Sequence, residues 1–170
     1  TFGTIAAGST QHLAAEYFKS VAGIDVVVVP YRGTPAVITA LRAGEIDVGF
    51  EILGPMLGQV QAKVLRALAV TSDRRFAGLP GVPTVKESGL PGYSVASWNA
   101  LAAPARTPKA TIDRLQRAAL QALAVPAVQS QLQALGVRAE GGTPEQLRQL
   151  LVVELRRWSD VIVQAKIEPQ

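Results

Sequence analysis

The chain has 170 residues, of which 48% are hydrophobic and 18% charged, enough apolar material for a packed core of one medium domain or two small lobes. Seventeen Lys and Arg against thirteen Asp and Glu give a net charge of +4, but the basic residues are scattered, in runs no longer than Arg74-Arg75 or Arg156-Arg157 and without interleaved aromatics, so nucleic acid is not the expected partner. The lack of Cys excludes disulfides, thiol chemistry and Cys-ligated metals, and no apolar run approaches the roughly 18 residues of a bilayer span, so the chain is not expected to be membrane-embedded.

In chain order, residues 1–5 read as a short strand, and Gly8-Ser9-Thr10 opens a helical pattern from Gln11 to Val21 with Leu13, Tyr17, Phe18 and Val21 on one face. Ile24 to Val29 is β-branched apart from Asp25 and ends at Pro30, the pattern of a strand buried on both faces. The turn Tyr31-Arg32-Gly33-Thr34-Pro35 leads into a helix from about Ala36 to Arg42, stopped by Gly44. Ile46 to Phe50 and Val64 to Val70 read as strands separated by a Gly- and Pro-punctuated stretch with room for a short helix. Residues 72–92, rich in Pro and Gly, read as an ordered surface excursion, and Ser94 to Leu101 as a further strand. Helices follow from Lys109 to Leu123, from Pro126 to just before Gly136, and from the capping box Thr143-Pro144-Glu145-Gln146 to about Ala165. Strands alternating with helices make βαβ units, so the expected fold class is α/β with a parallel-rich sheet flanked by helices and a largely helical C-terminal third.

Catalytic material is thin. His12 is the only histidine, and Ser9, three residues earlier, is needed as a helix cap, which leaves no evident triad and no His-rich metal site. Glu45, Asp47 and Glu51 cluster at one strand and read as a solvated strand end. Neither a Walker motif nor a dinucleotide fingerprint is present, and no cofactor is expected. The positive signal is anion binding at helix starts. In the loop Gly3 to Thr10, small residues let a ligand approach the backbone, the next helix contributes free amides and its dipole, and Thr4, Gly8, Ser9 and Thr10 are the candidate contacts. Gly33 and Thr34 repeat the arrangement before the second helix, and both turns fall at the carboxyl ends of expected parallel strands.

The stretch Gly3 to Glu16, the turn Val29-Pro30-Tyr31-Arg32-Gly33, Leu65 to Ser72 and Leu79-Pro80-Gly81-Val82-Pro83-Thr84 together resemble the Bug-type solute receptors of tripartite tricarboxylate transporters. The resemblance continues through Trp98, Ala103-Pro104, Thr107-Pro108, Gly141 to Glu145 and Trp158. It implies a periplasmic-binding-protein-like (type II) receptor whose two lobes close about a hinge near Ser97-Trp98 onto a small carboxylate, for delivery to a membrane permease. It also implies that this chain is the C-terminal part of such a receptor, lacking the N-terminal half-lobe. Residues 1–93 would form the second ligand-binding lobe, and residues 94–170 a crossover strand and the mostly helical end of the first. Thr4 stands where a serine is common in the family, Ala6 where a glycine is common, and Ala62-Lys63-Val64 replaces the usual Ala-Gly-Lys, suggesting a changed turn. The alternatives are a small α/β enzyme or an accessory or signalling binding module using the same anion loops.

Overall fold

The computed structural model describes residues 1–167. Strand β1 (Phe2–Ile5) runs parallel to β2 (Val28–Tyr31) on one side and to β3 (Val48–Gly49) on the other, giving the order β2-β1-β3. Helix α1 (Thr10–Ala22) connects β1 to β2, and α2 (Thr34–Ala43) connects β2 to β3. The two crossovers run in opposite directions along the sheet, so right-handed connections place the helices on opposite faces. Alternation along β1 shows the result. Phe2 packs on Phe18 of α1 and on Phe50, with ring centroids 6.0 and 5.1 Å away, while Ile5 packs against Val37, Ala40 and Ile46 on the α2 side. Gly3 faces that second layer, and a β-carbon there would collide with the Ile46 side chain.

Three strand assignments need correction. The stretch Ile24–Val29 does not form a strand buried on both faces: β2 lies at the edge of the sheet, starts at Val28, and includes Pro30, which an edge strand tolerates because one side makes no ladder bonds. Val27 is 64% exposed. Val64–Val70 reaches the sheet state only at its end, where Val70 bridges Thr84 in parallel. Ser94–Leu101 is not a strand. After Val95, whose amide bonds the Thr71 carbonyl, the chain runs without ladder partners, and Leu101 is 85% exposed. β-branched and apolar residues favour a strand only where a neighbouring strand offers hydrogen bonds and packing, and none lies beside this segment among the described residues.

The remaining helices are α3 (Leu53–Gln61), α4 (Lys109–Leu123), α5 (Pro126–Ala134) and α6 (Pro144–Gln164). The expected capping box forms at α6: Gln146 N donates to Thr143 Oγ1 at 3.1 Å, and Thr143 N to Gln146 Oε1 at 2.8 Å. Trp158 of α6 packs on the cluster of Ala14, Val85, Tyr93 and Val95, which joins α1 to the 84–95 segment. Helices α4 and α5 bury no residue, and α6 leaves Val152, Val153 and Leu155 exposed.

The turn after α3 places Lys63 at φ 58°, in the left-handed region where a side chain is strained and glycine is not. Replacing Lys63 by Gly should therefore raise stability by about 1 kcal/mol, read from denaturant midpoints at constant slope. A loss of stability would show that the lysine side chain contributes more than the strain costs.

Candidate ligand-binding site

Because the chain leaves β1 for β2 and then crosses to β3 on the other side, the sheet reverses its strand order beside β1, and the crevice at the carboxyl ends of β1 and β3 is where open α/β sheets take ligands. Both helix starts open onto that edge. At α1, Ser9 is the N-cap: its Oγ accepts from His12 N at 3.1 Å and donates to the Ile5 carbonyl at 3.0 Å. Gly8, at φ 76°, donates its amide to His12 Nδ1 at 3.2 Å, so the histidine braces the loop from within. The amides of Thr10 and Gln11, in the first turn, have no intrahelical acceptor by the geometry of a helix start. At α2, Gly33 precedes the helix with φ 122° and no side-chain cap, and its carbonyl accepts from Ala36 and Val37.

The two helix starts are joined by a residue whose place in the sequence reads as a solvated strand end. Glu51 follows β3, and its Oε2 accepts from Gln11 Nε2 of α1 at 3.4 Å and from Thr34 Oγ1 of α2 at 3.2 Å. Its Oε1 is buried with no hydrogen-bond partner in the structure. Burial pushes the carboxyl above the usual range, opposed by the donors Gln11 and Thr34 and by the Ile52 backbone. The other two acids of the presumed cluster lie elsewhere: Glu45 is exposed, and Asp47 bonds Thr1 Oγ1 at 2.7 Å.

The structure thus brings Thr34 and Gly33 together with Gln11 and Glu51. It places Gly8, Ser9 and Thr10 on the neighbouring loop, with the Ser9 hydroxyl already committed to the cap. Thr4 is fully buried and its Oγ1 is unpartnered. On β1 it shares a face with Phe2, under α1, so its hydroxyl sits inside the core layer and not on the loop surface. Thr10 borders an open groove of about 260 Å³, with Trp98, Leu151, Leu155 and Trp158 as an apolar wall and Ser97 and Glu154 as polar members. Glu154 in that groove is itself held by Trp158 Nε1 at 2.9 Å and Arg157 at 2.7 Å. Gln11 and Glu51 were missed. The available signal for Glu51 was its place one step beyond a strand at the switch point, which strand periodicity alone does not weight. No group of three or more metal-ligating side chains occurs among the described residues.

Residues 1–167 match the tripartite tricarboxylate transporter family receptor. The chain belongs to this family. Among curated relatives, it is 36% identical over 168 residues to a UPF0065 protein encoded in the tcbD-tcbE intergenic region of Pseudomonas sp. (strain P51), covering 98% of this chain and 50% of that protein. Among solved structures, it is similar to R. palustris Rpa4515 with adipate at 31% identity and a TM-score of 0.80, covering 99% of this chain and 57% of the other. It is also similar to MatC (Rpa3494) from Rhodopseudomonas palustris with bound malate, at 29% identity and a TM-score of 0.70, covering 95% of this chain and 56% of the other. The chain spans about half the length of the first of these relatives. The family is one of receptors and not of enzymes, and the chain shares the fold of these structural relatives. Among the described residues no helix is long and apolar enough to cross a membrane.

Proposed function

We propose that this chain forms about half of a periplasmic receptor that binds a small carboxylate for uptake by a tripartite transporter, with a membrane permease as its partner. The observation that carries the reading is the convergence of two helix starts, at Thr10-Gln11 and Gly33-Thr34, on the carboxyl edge of a parallel sheet beside its switch point. Solved relatives that hold adipate and malate support the carboxylate class. In this reading the first-turn amides of Thr10 and Gln11 face the solute, with Gly8 and Ser9 shaping the loop before them and Thr10 and Thr34 adding hydroxyls. Buried Thr4 sets the loop from below. Residues 1–93 make the ligand lobe, and residues 94–170 return to a second lobe through a hinge near Ser97-Trp98, whose exposure suits a segment that changes conformation on closure. The uncovered apolar faces of α4 and α6 are where the remainder of a full-length receptor packs.

The test is a thermal shift of this chain against a panel of small mono-, di- and tricarboxylates. A solute that binds only the folded state adds about 2.7 kcal/mol at a hundredfold excess over Kd, a rise on the order of 5–10 °C for a chain of this size. No shift with any acid would refute the receptor reading for this chain.

A further inference from the structure

We propose that Glu51 makes solute binding proton-linked: because this carboxylate occupies the space between the starts of α1 and α2, the receptor takes up a proton with each carboxylate solute. The proposal rests on the carboxylate-receptor reading above. A carboxylate ligand drawn to those helix starts meets one that is already there, bonded through Oε2 to Gln11 and Thr34. Two carboxylates sharing one partly desolvated site do not both stay ionised, and the cheaper proton goes to the group whose charge is least supported. That group is Glu51. Its donors are neutral, a side-chain amide from α1, a hydroxyl from α2 and the Ile52 backbone, and no cation bonds it among the described residues. The titratable neighbours on the adjoining elements are His12 of α1, which is turned to the Gly8 amide, and Arg32 of the β2–α2 turn, which makes no ion pair among the described residues; just before β3, Asp47 is engaged by Thr1. Burial already favours the neutral acid. Gln11 and Thr34 both donate to Oε2, which leaves Oε1, buried and without a hydrogen-bond partner, as the oxygen to carry the proton. Protonation removes the repulsion between the two carboxylates.

The sign follows from the order of the two titrations. Solute raises the pKa of Glu51, so protons are taken up between the free and bound values, and affinity falls as pH rises through that window, by up to tenfold per pH unit for a full proton. The experiment is calorimetric titration of the full chain and of Glu51→Gln with adipate, malate and succinate, from about pH 5.5 to about 8, in two buffers of different ionisation enthalpy. The difference between the two proteins cancels any titration of the solute itself. The expected result is proton uptake on binding by the parent chain, none attributable to the protein in Glu51→Gln, and tighter binding by the variant at about pH 8. As a check free of mutation, the 13C shift of the Glu51 side-chain carboxyl, titrated with and without solute, should show its midpoint move upward when solute is bound. Binding by both proteins with the same proton count, or an unmoved midpoint, overturns the proposal and leaves the receptor reading intact. Binding by neither overturns both.

Discussion

Changing Tyr93 to Ala should cost roughly 3–5 kcal/mol of stability, the range for emptying a large buried aromatic site. Tyr93 is fully buried, stacked on Tyr17 with centroids 5.3 Å apart and meeting Phe18 edge-on at 5.3 Å. Its hydroxyl donates to the Ala14 carbonyl at 2.9 Å, and burial raises its pKa well above the ordinary tyrosine value, so it stays a donor at any working pH. The ring is what fastens the Pro- and Gly-rich segment before it to helix α1. For a chain of this size the loss corresponds to a fall in Tm of roughly 6–20 °C. Tyr93→Phe keeps the stacking and loses only the hydrogen bond, at about 1 kcal/mol. Chemical denaturation of the three proteins checks both figures. Equal losses for Ala and Phe would mean that the hydrogen bond and not the aromatic packing holds the segment.

Gly136→Val should be comparably damaging, by roughly 3 kcal/mol or more, because it combines a β-branched residue at positive φ with a backbone collision. Gly136 has φ 74°, and a β-carbon there would lie 2.8 Å from Gly54 N and 2.9 Å from Gly54 Cα. Across the same contact, a β-carbon on Gly54 would lie 2.7 Å from the Leu135 carbonyl oxygen. Two glycines therefore let the end of α5 touch the start of α3 backbone to backbone, and neither side can yield as a flexible side chain would. The junction also bears on the site, since Glu51 stands three residues before Gly54 on the stretch leading into α3. Gly136→Val is expected to weaken carboxylate binding along with stability. Gly58→Ala, in the same helix with open space around it, should instead stabilise by roughly 0.5–1 kcal/mol. Thermal melts of the two variants and the parent, with and without solute, separate these effects. A Gly136→Val protein as stable as the parent would show that the two segments do not meet in solution.

Local chemistry determined much of this protein by itself. Ser9 before an apolar face, Pro35 after Gly33-Thr34, the stop at Gly44 and the Thr143 capping box each set a helix boundary through nearest neighbours in the chain, and each boundary is legible without tertiary structure. So was the family, because its blocks of Gly, Pro and Trp lie in order along the whole chain. The candidate anion loops at Gly8-Ser9-Thr10 and Gly33-Thr34 were equally visible, since a free first-turn amide follows from any helix start. Strands were not decided that way. The apolar runs at residues 24–29, 64–70 and 94–101 have the composition of strands, but a ladder needs a partner at the right distance, and only the assembled sheet says which run has one. Pro30 shows the point in reverse: it looked like a strand end, and the edge position of β2 makes it a strand residue. The convergence of Gln11, Thr34 and Glu51 belongs to the tertiary structure alone, because three residues from three elements up to 40 positions apart meet only when the chain crosses from β2 over to β3. The same crossing turned Glu51 from an apparent surface acid into a half-buried carboxylate between two helix starts, since burial is a property of what packs around a residue and not of its place in the sequence.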